Sequence, residues 1–437
     1  MSDNRASPLA PTHRKRFNLM PETREQAPNT GAPQDADDFS FVRLMTISLA
    51  ARLMVDASFQ IFSPFLPVIA EGLNTSVVTL GRLVSLRSLM GLLSPIFGSV
   101  ADRSGYRRVL RFALWVGALG LLLIGLSQNL WVTAAGMVLS GVGMGGFIPT
   151  LQAYISGRLP YAQRARGIGV LEYSWAITGI VSLFLIGWLI AETSWRAPFI
   201  LLAAGMAIMG FVFGMLPSAR TGGEPSAPPA ATESAPMMER VTDFFRLQRN
   251  ARSAYADMLV GSLSFFAGMQ VMITYGAWLA NEYGLGPAQL GVVAVVFGLF
   301  DLTASISVSL FTDRLGKRRS VIIGVGGSLI GYLILPLFNT TLILAVLGIA
   351  LARGAFEFGI VSNFSLLSEQ VPAQRGKVMT LSAAIGLSGA TIASWTGPAL
   401  YTSYGVPALA GVSATAAAAA LVILLVLVRE GSEARAE

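Results

Sequence analysis

The 437-residue chain has no cysteine and a single histidine, His13, in a polar N-terminal stretch. These absences exclude thiolate zinc and iron–sulfur centres and any histidine proton relay inside a folded core. Charge is also scarce, at 13% of residues against 53% hydrophobic, and mean hydropathy is +0.62. A water-soluble domain carries about 25% charged residues, so this chain has too few to clothe a solvated surface. No GxxxxGK[ST] loop is present, which removes the usual nucleotide-phosphate cradle and leaves an ion or solute gradient as the energy source. The first 38 residues, MSDNRASPLAPTHRKRFNLMPETREQAPNTGAPQDADD, have no apolar core, so they do not read as a secretory signal.

What is present is a succession of apolar runs long enough to cross a bilayer as helices, about 20 residues each. The short alternating segments of a β-barrel are missing. The spacing predicts helices over 43–70, 77–101, 108–127, 131–157, 166–190, 196–216, 254–281, 288–311, 320–338, 341–367, 377–401 and 405–428. The expected fold is an all-α membrane protein of twelve transmembrane helices in two pseudo-symmetric six-helix bundles. Its parts are a disordered cytoplasmic tail (1–40), an N-terminal bundle (41–216), a linker (217–252), a C-terminal bundle (253–428) and a second tail (429–437). The linker opens with SARTGGEPSAPPAATESAP, a flexible composition. It continues as MMERVTDFFRLQRN, which predicts an amphipathic helix on the membrane surface.

Topology follows from the basic residues, 28 of them Arg and only three Lys. Arg52, Arg82, Arg87 and Arg353 fall inside helices, and Arg196 lies in the loop after helix five. The other 26 lie on the termini and in or beside the loops after helices two, four, six, eight and ten. That asymmetry predicts cytoplasmic termini. The +7 net charge is therefore read as a topology signal, and no nucleic-acid partner is expected.

Between helices two and three stands GSVADRSGYRR (98–108), and between helices eight and nine SLFTDRLGKRR (309–319), 211 residues later. PYAQR (160–164) returns at nearly the same offset as PAQR (372–375), and Glu71 maps near Glu282. Three landmarks at one offset indicate an internal repeat, a common construction of transporters. In the loop motif Gly98 permits close helix approach and Gly105 a tight turn. Asp102, with Arg103, Arg107 and Arg108, and Asp313 and Gly316, with Arg314, Arg318 and Arg319, can form a charge cluster at the helix ends. Such a cluster either gates the two halves or only anchors each helix hairpin.

The motif resembles the signature loop GxxxDRxGRR of the major facilitator superfamily, which recurs in weakened form in that family's second half. The resemblance covers 41–428. Within it, GIGVLEYSWAITGIVSLFLIGWLI (167–190) and SWRAPF (194–199) are similar to the branch of arabinose-efflux permeases, which in turn resembles drug:proton antiporters. Two departures stand out. Where proton-coupled members carry an Arg in a helix-four pattern like RxxQGxG, this chain reads MVLSGVG (137–143). Where drug antiporters carry a Gly-Pro signature in helix five, it reads VSLF (181–184). The resemblance implies a monomeric, multi-pass protein of the cell membrane, the inner membrane in a bacterium. It would export a small organic solute by alternating access, with the proton as coupling ion, no cofactor and no enzymatic activity. Solute uptake by proton symport is the alternative within transport, and a non-transporting receptor or scaffold the alternative outside it.

An ionisable residue at membrane depth is a functional candidate by default. Asp56, Glu172, Asp301 and Glu357 are the proton-coupling candidates. Arg52, Arg87, Gln152, Tyr173, Trp175, Trp278, Arg353 and Asn363 are the candidates for the solute cavity, with Phe266, Tyr275 and Phe356 as further aromatic wall. Arg52/Asp56 and Arg353/Glu357 stand at i, i+4, so each pair can instead be self-neutralising structure. Arg87 either binds an anionic group or neutralises Glu172. Asp257, near the start of helix seven, is placed at the cytoplasmic interface. Gln152 and Asn363, 211 apart, form a matched polar pair. Gly141, Gly143, Gly145, Gly146, Gly386 and Gly389 are read as packing faces.

Overall fold

The computed structural model describes residues 41–156, 158, 170–216, 246, 247 and 250–430. The 1–40 tail, nearly all of the 217–252 linker with its expected amphipathic helix, the PYAQR segment, the side chain of Asp102 and the end of the C-terminal tail lie outside the described residues.

The described residues are almost wholly helical. We number the spans α1 (Phe41–Gln60 continued by Phe62–Gly72), α2 (Val77–Gly98), α3 (Tyr106–Leu126), α4 (Leu130–Ser156), α5 (Val170–Glu192) and α6 (Ala197–Met215). The second half holds α7 (Ala251–Tyr283), α8 (Pro287–Leu315), α9 (Lys317–Phe338) and α10 (Leu342–Gln370). A continuous 53-residue stretch, Arg375–Leu427, follows. At 1.5 Å per residue it would measure about 80 Å, far beyond a hydrocarbon core of about 30 Å. Gly405, at φ 72 and ψ −168, breaks it into α11 (375–404) and α12 (406–427). Ten helices are individually long and apolar enough to cross a membrane; the two-part α1 is an eleventh, and the break at Gly405 yields twelve. Helix seven starts at Ala251 rather than at 254.

Local chemistry explains the ends and bends. Pro64 has no N–H for the Gln60 carbonyl, and α1 bends there by 56°. The polar hinges cap the helices that follow them: Val132 N–H donates to Asn129 Oδ1 at 3.0 Å, and Leu344 N–H to Thr341 Oγ1 at 3.4 Å. Within α5 one π turn, Thr178–Ser182, interrupts the α ladder. Large apolar side chains such as Trp131, Phe211, Leu337 and Val426 point outward. On a water-soluble protein such a surface would drive association; here it faces lipid.

The repeat is visible in the hydrogen bonds of the loop motif. Gly105 and Gly316 both have positive φ (95° and 87°), a conformation that a side chain would strain. Gly105 N–H donates to Ala101 O and Gly316 N–H to Thr312 O, positions again 211 apart. Arg107 donates to Leu216 O at 2.7 Å and Gly214 O at 3.3 Å, the last carbonyls of α6. Arg318 donates to Val428 O and Leu425 O, both at 2.9 Å, at the end of α12. A guanidinium on the terminal carbonyls satisfies orphan acceptors and complements the helix dipole. Arg107 and Arg318 thus fasten the last helix of each bundle to its third. Arg103, Arg108, Asp313, Arg314 and Arg319 are exposed. Lys317 pairs with Glu369 within the second bundle. In this conformation these contacts lie within a bundle, which is the anchoring arrangement.

The two bundles meet on the side away from the basic loops. The second segment of α1 packs on α7, α5 on α8, and α2 on α11. A Cβ at Gly276 would lie 2.2 Å from Pro64 O, one at Gly187 2.6 Å from Pro287 O, and one at Gly81 2.7 Å from the Pro398 ring. Backbones in such contact seal that face.

Candidate functional site

At mid-membrane two narrow, adjoining crevices run between the helices. One lies between the bundles and is lined by Gln60, Ser63, Gly179, Leu183, Met272, Tyr275, Ala294, Phe297 and Arg353. The other lies among α7, α9 and α10 and shares Met272, Tyr275 and Arg353 with the first. Both are closed down to packing gaps in this conformation, with Arg353 the one charged side chain of the described residues on their walls.

The first bundle contributes a charge network beside this space. Arg52 Nε donates to both carboxylate oxygens of Asp56 at 3.0 Å, so the i, i+4 pair forms. Asp56, 1% exposed, also accepts from the Ser174 hydroxyl of α5. Arg52 Nη2 reaches Glu172 at 3.6 Å, and Gln152 Nε2 donates to Glu172 Oε1 at 2.8 Å. Three helices are thereby joined, and Glu172 remains half exposed at the end nearer the basic loops.

In the second bundle Arg353 pairs across helices, with Asp301 of α8, through Nε at 2.8 Å and Nη2 at 2.6 Å. Of the two alternatives for Arg353/Glu357, the self-neutralising i, i+4 pair does not form: a two-pronged contact between α8 and α10 wins over the neighbour one turn away. Among the described residues Glu357 accepts only from Ser305, at 3.3 Å. Glu172 lies within electrostatic reach of it across the gap between bundles.

Arg87 is 1% exposed. It donates to Ser140 Oγ of α4 at 2.9 Å and Ser58 Oγ of α1 at 3.1 Å, and its head lies 5.4 Å from each of the Phe59 and Phe62 rings. It does not pair with Glu172. Its guanidinium sits against the MVLSGVG stretch, the part of α4 that has no arginine of its own. Trp175 packs on Phe59 and reaches toward Met269, Met272, Ala390 and Ala393 of the other bundle. Tyr173 is partly buried. Tyr275 and Phe356 do line the cavities.

Trp278 is a correction. It is wholly buried and donates to Asn339 Oδ1 at 2.9 Å, toward the sealed face, and lines neither space. Asn363 is likewise turned away from the cavity, donating to Asp257 at 2.6 Å. Asp257 is not interfacial but 0% exposed. Gln60, Ser63, Ser174, Ser305 and Met272 were not singled out from sequence. No periodicity marks an uncharged residue as cavity-facing, although the i+4 spacing of Gln60 from Asp56 puts both on one face.

Twelve helices among the described residues, in two related bundles that meet over a narrow mid-membrane crevice, are the architecture of a secondary transporter. The sequence model of the Major Facilitator Superfamily matches residues 49–278 and 258–437, and the chain belongs to that family. It is 23% identical to the uncharacterized MFS-type transporter YwfA of Bacillus subtilis over 84% of this chain and 88% of that protein. To the multidrug resistance protein MdtG of Escherichia fergusonii it is 23% identical over 67% and 71% respectively. Its fold matches the xylose transporter XylE of E. coli, solved in an inward-open conformation, with TM-score 0.70 and 17% identity over 89% of this chain and 96% of that one.

Proposed function

We propose that this transporter exports amphiphilic organic cations from the cytoplasm in exchange for protons, as a monomer in a bacterial inner membrane with both termini cytoplasmic. The observation that carries the reading is the imbalance around the cavity. Asp56, Glu172, Asp301 and Glu357 share two ion-pairing arginines, Arg52 and Arg353, each engaged mainly by one aspartate, while Arg87 is held by Ser58 and Ser140 instead of a carboxylate. Glu172 and Glu357, one from each bundle and within electrostatic reach of each other, are left without a hydrogen-bonded arginine, Glu172 keeping only the 3.6 Å contact with Arg52. A cation or a proton satisfies such a pair, and the two compete for it, which is the elementary requirement of antiport. The relation to multidrug resistance proteins supports export, and the basic loops support an orientation in which Glu172 faces the cytoplasm. Arg87 supplies a buried cation beside α4 in place of the family's helix-four arginine.

The test uses the full chain in proteoliposomes with ethidium as the cationic probe. An imposed pH gradient drives ethidium against its concentration gradient. Glu172→Gln or Glu357→Gln removes the driven flux while ethidium exchange persists. Ethidium flux indifferent to the pH gradient overturns proton coupling. Flux in the same direction as the protons supports symport instead, and no flux for any cation supports the receptor reading.

A further inference from the structure

Asp257 lies in α7, between two apolar clusters. One contains Ala256, Val260 and Leu366, the other Ala254, Met258 and Leu367. Its side chain is wholly buried, and Oδ1 accepts from Asn363 Nδ2 at 2.6 Å. Two buried oxygens of this pair have no hydrogen-bond partner among the described residues: Asp257 Oδ2 and Asn363 Oδ1. Among the described residues no Arg or Lys lies within ion-pair distance of Asp257. α10 presents Asn363 to it. Toward the basic loops the ends of α7, α10 and α12 present Ser253, Gln370 and the Arg429 backbone. Ser253 donates to Gln370 Oε1 at 2.8 Å and accepts from Arg429 N–H at 3.0 Å. That hydrogen-bonded plug stands one helical turn from Asp257 and closes it off from the loop side.

A bare carboxylate in such surroundings is unfavourable, and so is an amide oxygen with no donor. A proton on Asp257 removes both defects together. Its new O–H donates from Oδ2 to Asn363 Oδ1 while Asn363 Nδ2 goes on donating to Oδ1, closing a cyclic acid–amide pair. A metal cation fits poorly, since hard cations take about six oxygen ligands and two are on offer.

We propose that Asp257 is a proton-binding site of the second bundle, separate from the Glu172–Glu357 pair, and that its proton takes part in the exchange. The inference rests on the antiport reading for its role but not for its protonation. Asp257→Asn preserves the cyclic pair, as two amides, so this variant folds.

Infrared spectra of the full chain in lipid vesicles at neutral pH test the protonation. One carboxylic-acid carbonyl band is lost in Asp257→Asn, is kept in Glu172→Gln and Glu357→Gln, which remove only a band of their own, and shifts in Asn363→Ala. A band that Asp257→Asn leaves unchanged overturns the proposal, and so does a band abolished by adding sodium at fixed pH. Ethidium flux tests the role: Asp257→Asn loses pH-gradient-driven flux and keeps exchange, and driven flux equal to that of the unaltered chain overturns participation. If the unaltered chain moves no ethidium, the export reading fails, while the infrared result still decides whether Asp257 holds a proton.

Discussion

Replacing Gly276 by alanine tests whether the sealed face is a gate. The new Cβ would stand 2.2 Å from Pro64 O and 2.5 Å from Ser63 O. Carbon–oxygen contacts settle near 3.3 Å, so α1 and α7 must part by about 1 Å. Both contacts are backbone carbonyls, which cannot rotate aside as a side chain would. Overpacking of this kind costs about 1–3 kcal/mol. Because the strain exists only while the bundles are closed on this side, it acts on the balance between conformations, a shift of roughly 5- to 150-fold. The chain has no cysteine, so Leu183→Cys introduces a single thiol into the inter-bundle space. Leu183 is 3% exposed. In right-side-out vesicles a membrane-impermeant maleimide leaves this thiol unlabelled, and adding Gly276→Ala makes it reactive from outside. Gly187→Ala, at the α5–α8 contact, produces the same change through a different helix pair. Unchanged labelling in both variants, with the protein folded, refutes the gate.

Two further perturbations separate structure from transport. Arg353→Gln leaves Asp301 as an uncompensated buried charge and lowers stability by about 3–5 kcal/mol, whereas the double change Asp301→Asn/Arg353→Gln recovers most of it; denaturation midpoints in detergent read both. Arg107→Ala and Arg318→Ala each release a helix end and cost about 1.5 kcal/mol. They sit in different bundles and so add, and ethidium turnover per folded molecule stays constant if these arginines anchor rather than gate.

The spans, the repeat and the basic loops were legible because each rests on a property carried along the chain: apolar length, a fixed offset, charge in alternate loops. The site was legible in composition but not in pairing. The sequence offers Glu357 as an alternative partner for Arg353 because i, i+4 proximity is the contact a linear sequence can suggest; Asp301, 52 positions away, needs the packing of α8 on α10. Trp278 reads as a cavity candidate because it is a large aromatic inside a membrane helix, yet which face a tryptophan takes depends on the α9–α10 turn that supplies Asn339. Asp257 was placed at the interface from its nearness to the helix start. The ends of α10 and α12 cover that start, and only the 211-residue relation of Asn363 to Gln152 hinted that its partner was special.

That relation points to how the fold divides its labour. Contacts that hold the scaffold obey the 211-residue offset: Gly105 with Gly316, Arg107 with Arg318, Gly214 with Leu425 at the clamped helix ends. The charges around the cavity do not. Arg52, Asp56 and Glu172 map onto Leu263, Ala267 and Ala383, while Asp301, Arg353 and Glu357 map back onto Met90, Val142 and Gly146. Symmetric anchoring gives two bundles that can tilt as equals about a shared seam. Asymmetric charge gives the seam a chemistry that neither bundle has alone, since Glu172 and Glu357 come within electrostatic reach of each other only when the halves are assembled. Of the matched polar pair, Gln152 donates to Glu172 and Asn363 to Asp257. The conserved geometry of the repeat therefore delivers one amide donor to one buried or half-buried carboxylate in each bundle, which is the arrangement expected if both carboxylates hold protons in turn.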